Sequence, residues 1–176
     1  TQTNDIVIRG NSPGGLLWRV NGLDIPNPNH FGSISSTGGA ISMINNKVLR
    51  NSDFFSGAFP AEYGNALSGV FDLNMRQGNN KKREYTAQAS FYGLEFGVEG
   101  PFVKSKRASY LFNYKYSTMA VFDFIGLEFG IDGIPKYQDL SYNIVIPSKK
   151  NGTFSLFGIL GKNRISIETE NDSLYN

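Results

Sequence analysis

Residues 109–118 read Ser-Tyr-Leu-Phe-Asn-Tyr-Lys-Tyr-Ser-Thr. In an extended chain successive side chains point to opposite sides, so Tyr110, Phe112, Tyr114 and Tyr116 share one face. Leu111, Asn113, Lys115 and Ser117 share the other. Alternation of this kind specifies a β-strand with one wholly aromatic face and one mostly polar face.

The same pattern recurs on both sides of this stretch. Leu140, Tyr142, Ile144 and Ile146 alternate with Asp139, Ser141, Asn143 and Val145. Upstream, Tyr85, Ala87, Ala89 and Phe91 alternate with Thr86, Gln88 and Ser90. Leu94, Phe96 and Val98 then alternate with Glu95, Gly97 and Glu99, the parity shifting by one as it does across a tight turn near Tyr92-Gly93. A fifth run, Phe154 to Leu160, is more weakly patterned. Each run is about ten residues long, the length a tilted strand needs to cross a bilayer. The polar faces then line a lumen and the aromatic faces meet lipid. Val103 to Arg107 and Ser148 to Gly152 read as short charged turns, and Met119 to Lys136 as a longer loop. Outer-membrane barrels alternate short and long connections in this way, and the order suits a first strand that runs outward. A soluble antiparallel sandwich also alternates, but it needs a thick facing layer to bury four aromatics from one strand.

Composition agrees with β structure. The chain has 20 Gly, 9 Tyr and 14 Phe among 176 residues; aromatics favour strands and glycines mark turns and bulges. It has no Cys, which excludes disulfides, thiolate catalysis and cysteine-bound zinc. The formal net charge is +2, and Lys81-Lys82-Arg83 is the densest basic cluster, so nucleic acid is not an expected partner. No apolar run is long enough for a transmembrane helix. No signal peptide opens the sequence.

Residues 1–78 differ in character. They are rich in Gly, Asn and Pro, with short apolar runs such as Ile6-Val7-Ile8, Leu16-Leu17-Trp18 and Val70-Phe71-Asp72-Leu73. A mixed α/β domain is expected here. Its best helix candidate is about Gly39 to Arg50, where Ile41, Ile44, Val48 and Leu49 could share a face. Residues 79–176 are expected to be about five antiparallel transmembrane strands. The whole is then mainly β, a mixed plug-like unit followed by part of a barrel.

Four motifs occur in order: Ile8-Arg9-Gly10, Val20-Asn21-Gly22, Ala61-Glu62-Tyr63-Gly64, and Leu67-Ser68-Gly69-Val70-Phe71-Asp72-Leu73. This succession, directly before barrel-like strands, resembles the plug of TonB-dependent outer-membrane receptors. The stretches Asn27 to Phe31, Gly57 to Asn65 and Ser109 to Thr118 resemble the branch typical of Bacteroidetes. Gly10, Gly22 and Gly64 are expected at sharp turns, and Gly69 where the exit strand packs closely on the plug sheet.

The resemblance implies energy-coupled uptake of a nutrient through a plugged barrel in the bacterial outer membrane. Its implied partners are TonB, acting through a segment before Thr1, outer-membrane lipid, the nutrient, and a surface lipoprotein or other outer-membrane complex partner. Five strands do not close a barrel, so further strands are expected after Asn176. Arg9, Asn11, Asn29, His30 and Phe31 are the implied ligand-facing plug residues. Arg9 and Asp53 are the implied polar plug–barrel contacts, Arg9 with a carboxylate expected beyond this chain. One departure lies at Ser56, where the family pattern carries arginine before Gly57.

Motifs for chemistry are absent. The single histidine, His30, follows Asn-Pro-Asn and reads as a loop residue rather than a metal ligand. No G-x-S-x-G elbow, G-x-G-x-x-G or phosphate loop occurs. Asp139 and Glu99 read as lumen-facing polar residues. No enzyme activity, metal or cofactor is implied. The competing reading is a binding module: a soluble β domain, or a receptor-like subunit of an outer-membrane assembly that imports nothing.

Overall fold

The computed structural model describes residues 4–32, 36–39, 41–90, 93–103, 107–117 and 134–166. Among these described residues run eleven strands: β1 Leu16–Val20, β2 Leu23–Ile25, β3 Asn29–His30, β4 Ile41–Ser42, β5 Asp53–Phe55, β6 Gly69–Leu73, β7 Glu84–Ser90, β8 Gly93–Pro101, β9 Ser109–Tyr116, β10 Ile134–Pro147 and β11 Thr153–Ser166. They form a four-stranded sheet in the order β2-β1-β6-β5, a two-stranded pair β3-β4, and a five-stranded sheet β11-β10-β9-β8-β7. The fold is mainly β, and among the described residues no sheet closes on itself.

The small sheet begins with a hairpin. Asn21 and Gly22 both take positive φ, 48° and 83°, as a two-residue turn of this hand requires. The Asn21 side chain also accepts a bond from Met75 N at 2.8 Å, tying the turn to the end of β6. Strand β6 lies beside β1 in parallel and β5 in antiparallel register. Its Gly69 fits where no side chain could: an added Cβ would come within 3.1 Å of both Leu16 Cδ1 and Phe55 O and would collide with Ile8. Close packing at Gly69 is as expected. Gly64, by contrast, is not among the positive-φ residues, and an added Cβ there would meet open space.

Each face of the small sheet carries an apolar cluster. Leu17 and Val70 pack under Tyr63, with Phe55, Phe59 and Ala66 around them. On the other face Val20, Val48, Leu73 and Met75 pack against Leu111 of β9, and Phe157 and Ile159 of β11 reach the same cluster. Trp18 stacks on Phe71 with centroids 4.5 Å apart, and Phe54 joins from the other side at 4.6 Å.

The mixed α/β domain expected of the first half does not appear among the described residues. Helical structure there is two single 3₁₀ turns, Pro13–Gly15 and Asn46–Val48. The helix expected over Gly39 to Arg50 is replaced by β4 and the second of these turns. Asn45 explains the difference: it is extended, and its side chain accepts a bond from Lys47 N at 2.9 Å. Asparagine offering its own side chain to the backbone in this way competes with a helix.

The long sheet is an antiparallel meander, and its alternation follows the sequence. Facing the small sheet are Leu111 and Asn113 on β9, Asp139, Ser141, Asn143 and Val145 on β10, and Glu95 on β8, all buried. The opposite face is bare. Tyr85 is 75% exposed, Phe96 55%, Phe154 62% and Leu160 58%. The long connection expected over Met119 to Lys136 lies largely outside the described residues, although β10 already begins at Ile134. Phe91 and Tyr92, at the expected first turn, also lie outside them.

Candidate functional site

The chemistry-bearing residues gather between the two sheets. Register places the inward residues of the long sheet in rows. One row runs Glu84, Glu99, Leu111, Asn143, Phe157; the next Thr86, Gly97, Asn113, Ser141, Ile159; a third Gln88, Glu95, Lys115, Asp139, Gly161. Four carboxylates thus face the N-terminal unit: Glu84, Glu95, Glu99 and Asp139. That unit answers with Lys47, Arg76 and His30.

Arg76 follows β6 and bonds Glu99 through two nitrogens, each at 2.7 Å. This two-pronged geometry suits a planar guanidinium on a carboxylate, and the bond to Glu99 raises the Arg76 pKa above its ordinary value. Glu99 also accepts from Asn79 N at 2.8 Å, and Arg76 O accepts from Asn143 at 2.9 Å. Lys47, held by the Asn45 turn, lies 3.1 Å from Glu95 and also bonds Gln88. Asn45 donates to Asn113 at 3.0 Å. An open cavity of about 350 Å³ lies between these groups and the sheet, lined in part by Lys47, Arg76, Glu84, Glu99 and Asn113.

His30 closes the other end of the seam. It is 1% exposed. Asn163 Nδ2 donates to its Nδ1 at 3.0 Å, so Nε2 carries the proton and donates to Asp139. Tyr137 and Phe31 flank the ring at 5.4 and 5.9 Å. The second Asp139 oxygen is buried and has no hydrogen-bond partner among the described residues. The pair thereby ties β3 to β10 and β11.

A second polar cluster lies on the far side of the small sheet. Tyr63 donates to Asp72 Oδ2 at 2.7 Å, and the Arg19 guanidinium lies 4.6 Å over the Tyr63 ring. The bond to Asp72 pushes the Tyr63 phenol up to about 12. Arg19 also bonds Asp24 at 2.7 Å, which raises its pKa, and donates to Glu62 O at 3.0 Å. The Glu62-Tyr63 motif therefore clamps its loop onto β1 and β6.

The residues singled out by sequence are placed as follows. Arg9 is exposed with φ 52°, its guanidinium over Gly57, where an added Cβ would come within 2.9 Å of Nη1. Asn11 is exposed in the following turn, its N–H donating to Ile8 O at 3.0 Å. Asn29 is half-buried and bonds Asn27 at 2.8 Å and Thr37 O at 3.1 Å. Phe31 is half-buried with φ 59°. Asp53 is exposed on edge strand β5, opposite Asp72. Among the described residues neither Arg9 nor Asp53 forms an ion pair. Asn29 and His30 lie on β3 and Phe31 directly follows it; His30, expected in a loop, is a buried strand residue turned to the long sheet. Arg76, Lys47 and Asn163 were not singled out. Arg76 carried a usable signal, a lone cation just past the exit strand, but Lys47 and Asn163 had none. Among the described residues no cluster of three or more His, Cys, Asp or Glu could hold a metal ion.

No family model, no curated protein and no solved structure matches this chain.

Proposed function

We propose that this chain is part of a TonB-dependent receptor of the bacterial outer membrane. Residues before about 78 form plug, and β7 to β11 form five strands of the transmembrane barrel. The receptor takes up a nutrient from outside the cell, with TonB drawing on the plug from the periplasm.

One observation carries this reading: the long sheet buries its polar face and leaves its aromatic face bare. A water-soluble sheet with one covered face does the reverse. Lipid as the solvent of the bare face resolves the inversion. The outward apolar stretch supports it. From Ile146 to Leu140 on β10 is six residues, roughly 20 Å at the usual strand rise, and aromatics flank it on β9. The apolar band of outer-membrane barrels is about 25 Å tall. No helix among the described residues is long and apolar enough to cross a membrane, so a crossing by the described residues has to be made by strands.

The seam suits a plug that shifts. Its apolar part is small, and the rest is ion pairs and amide bonds that water can replace when the layers part. Such a contact opens at lower cost than a continuous hydrophobic core.

Two measurements test the proposal separately. The intact protein should be extracted from membranes only by detergent; a monodisperse species in plain buffer would overturn the barrel. Deleting its gene should produce a nutrient requirement that deletion of TonB reproduces. A requirement that is unaffected by loss of TonB would remove import and leave an outer-membrane binding protein.

A further inference from the structure

The outward face of β10 and β11 changes chemistry along the strands. Ile146, Ile144, Tyr142 and Leu140 on β10, with Phe154, Leu156 and Leu160 on β11, form its apolar part. The next outward positions are Gln138 and Lys136 on β10, and Lys162 and Arg164 on β11. Register sets Gln138 opposite Lys162, and Lys136 opposite Arg164. Parity is fixed from both sides. Inward, Asn163 bonds His30; outward, the Tyr114 phenol donates to Gln138 Oε1 at 2.9 Å.

Three cations thus occupy two facing strands on one side. Directly opposite residues have Cβ atoms about 5 Å apart, and like charges there repel. Lys162 and Arg164 are both exposed, and among the described residues neither holds an ion pair. Leu160 lies only one outward position from Lys162, about 7 Å along the strand. An anion that neutralises Lys162 and Arg164 is therefore in reach of an apolar strip, Leu160 to Leu156. Between these two leucines Gly158 adds no side chain, and the Tyr142 ring covers it: an added Cβ would come within 2.7 Å of that ring. Tyr114 and Tyr116 beside Gln138 give the amphipathic border that tyrosines form at a membrane interface.

From this juxtaposition we infer that Lys162 and Arg164 form a lipid site, taking the phosphate of an anionic lipid while its acyl chain lies along Leu160 and Leu156. The inference rests on the reading that this face meets the bilayer. A free anion would leave the apolar strip unused, and a neutral lipid would leave Lys162 and Arg164 without a counter-charge among the described residues. The sequence beyond Ser166 carries Glu168, Glu170 and Asp172, so the experiment also has to detect neutralisation within the chain.

The test uses the full-length protein in neutral detergent, with phosphatidylglycerol or phosphatidylcholine added and retained lipid counted by native mass spectrometry. Wild type should retain phosphatidylglycerol in preference to phosphatidylcholine. K162Q/R164Q should lose affinity for it by roughly 30-fold, at the usual ~1 kcal/mol per basic residue near an anionic surface. K162R/R164K, which keeps the charge and controls for folding, should bind as wild type does. Equal retention of both lipids by wild type overturns the site. Unchanged binding in K162Q/R164Q also overturns it, and means that the acidic run already neutralises the pair. Full competition by equimolar inorganic phosphate would reduce it to a simple anion site. If lipid selectivity fails while detergent dependence stands, only this site falls. If the protein needs no detergent, the membrane reading falls with it.

Discussion

The small sheet and the long sheet obey opposite rules of burial. Strands β1 and β6 hide Leu17, Val20, Val70 and Leu73, and their polar residues Arg19 and Asp72 are half-buried beside Tyr63. Strands β9 and β10 hide Ser109, Asn113, Asp139, Ser141 and Asn143 beside Leu111 and Val145, and leave Tyr114 and Ile146 exposed and Tyr110, Phe112, Tyr142 and Ile144 half-buried. The difference shows that alternation alone identifies a strand but not its solvent. What identifies the solvent is which of the two faces the rest of the chain covers. Here the N-terminal unit covers the polar one, and it does so with matching charges.

The comparison breaks most sharply at His30, where the small unit enters the polar face. Asp139 is almost wholly enclosed, its side chain 4% exposed. Removing the imidazole leaves the buried Asp139 side chain with no hydrogen-bond donor to either oxygen among the described residues. His30→Ala should therefore destabilise the N-terminal unit by about 3–5 kcal/mol, the range for breaking a buried pair. Trp18, the only tryptophan, stacks on Phe71 and reports that unit's unfolding by fluorescence in denaturant. The double variant His30→Leu/Asp139→Leu should recover most of the loss. A single variant as stable as wild type would mean that the pair does not join the layers.

Phe112 tests the other face. It is centrally placed in the outward rows, between Val98 and Tyr142. Phe112→Arg should cost about 2–4 kcal/mol in a bilayer, as charges do on the lipid side of a barrel near the midplane. On a water-facing sheet the same change stays within about 0.5 kcal/mol. Refolding yield into lipid vesicles separates the two outcomes, and a neutral result would make the aromatic face a docking surface in water.

Much of this was legible in residues 79–176. The period of two in Tyr110 to Tyr116 and in Leu140 to Ile146 placed both strands and both faces, because side-chain direction in a strand depends only on parity. Strand length was less legible: β11 runs on to Ser166 through Gly158, Gly161 and Lys162, which carry no apolar alternation and are held by backbone pairing to β10. In the first half, apolar residues at helical spacing misled. Ile41, Ile44 and Val48 are short-range matches to a helix, but Asn45 and Asn46 interrupt them with turn chemistry. The seam was the least legible. His30 meets Asp139 across 109 positions of sequence, and Lys47 meets Glu95 across 48. No local pattern encodes such pairs. Resemblance pointed to Arg9 and Asp53 as the contacts and parity placed Asp139 and Glu99 on the inward face, but their partners His30 and Arg76, and Lys47 opposite Glu95, emerge only from the fold.

Arg76 refines the comparison on the scale of a single ion pair. Its side chain is 36% exposed and that of Glu99 13%, so solvent screens part of the attraction. Arg76→Gln should cost about 1–2 kcal/mol, less than His30→Ala, since Asn79 still bonds Glu99. The loss should shrink as salt is raised toward 1 M, where charges more than about 3 Å apart are screened in water. A salt-independent loss would mean that Arg76 acts by packing rather than charge.

The smallest effect belongs to the small sheet itself, at Tyr63. Its phenol is neutral while it donates to Asp72, and that bond raises its pKa from 10.0 to about 12. A group whose folded pKa lies above its unfolded value stabilises the fold in full below the unfolded value. The contribution is then lost as pH climbs from about 10 through about 12. The N-terminal unit should accordingly weaken across that window, followed through Trp18 fluorescence at fixed denaturant. Tyr63→Phe keeps the ring under Arg19 and removes only the hydroxyl. It should lower stability slightly at neutral pH and flatten this alkaline transition, with the His30 and Phe112 effects unchanged. A transition of wild-type size in Tyr63→Phe would place its cause elsewhere, and would detach the Glu62-Tyr63 clamp from the stability of the small sheet.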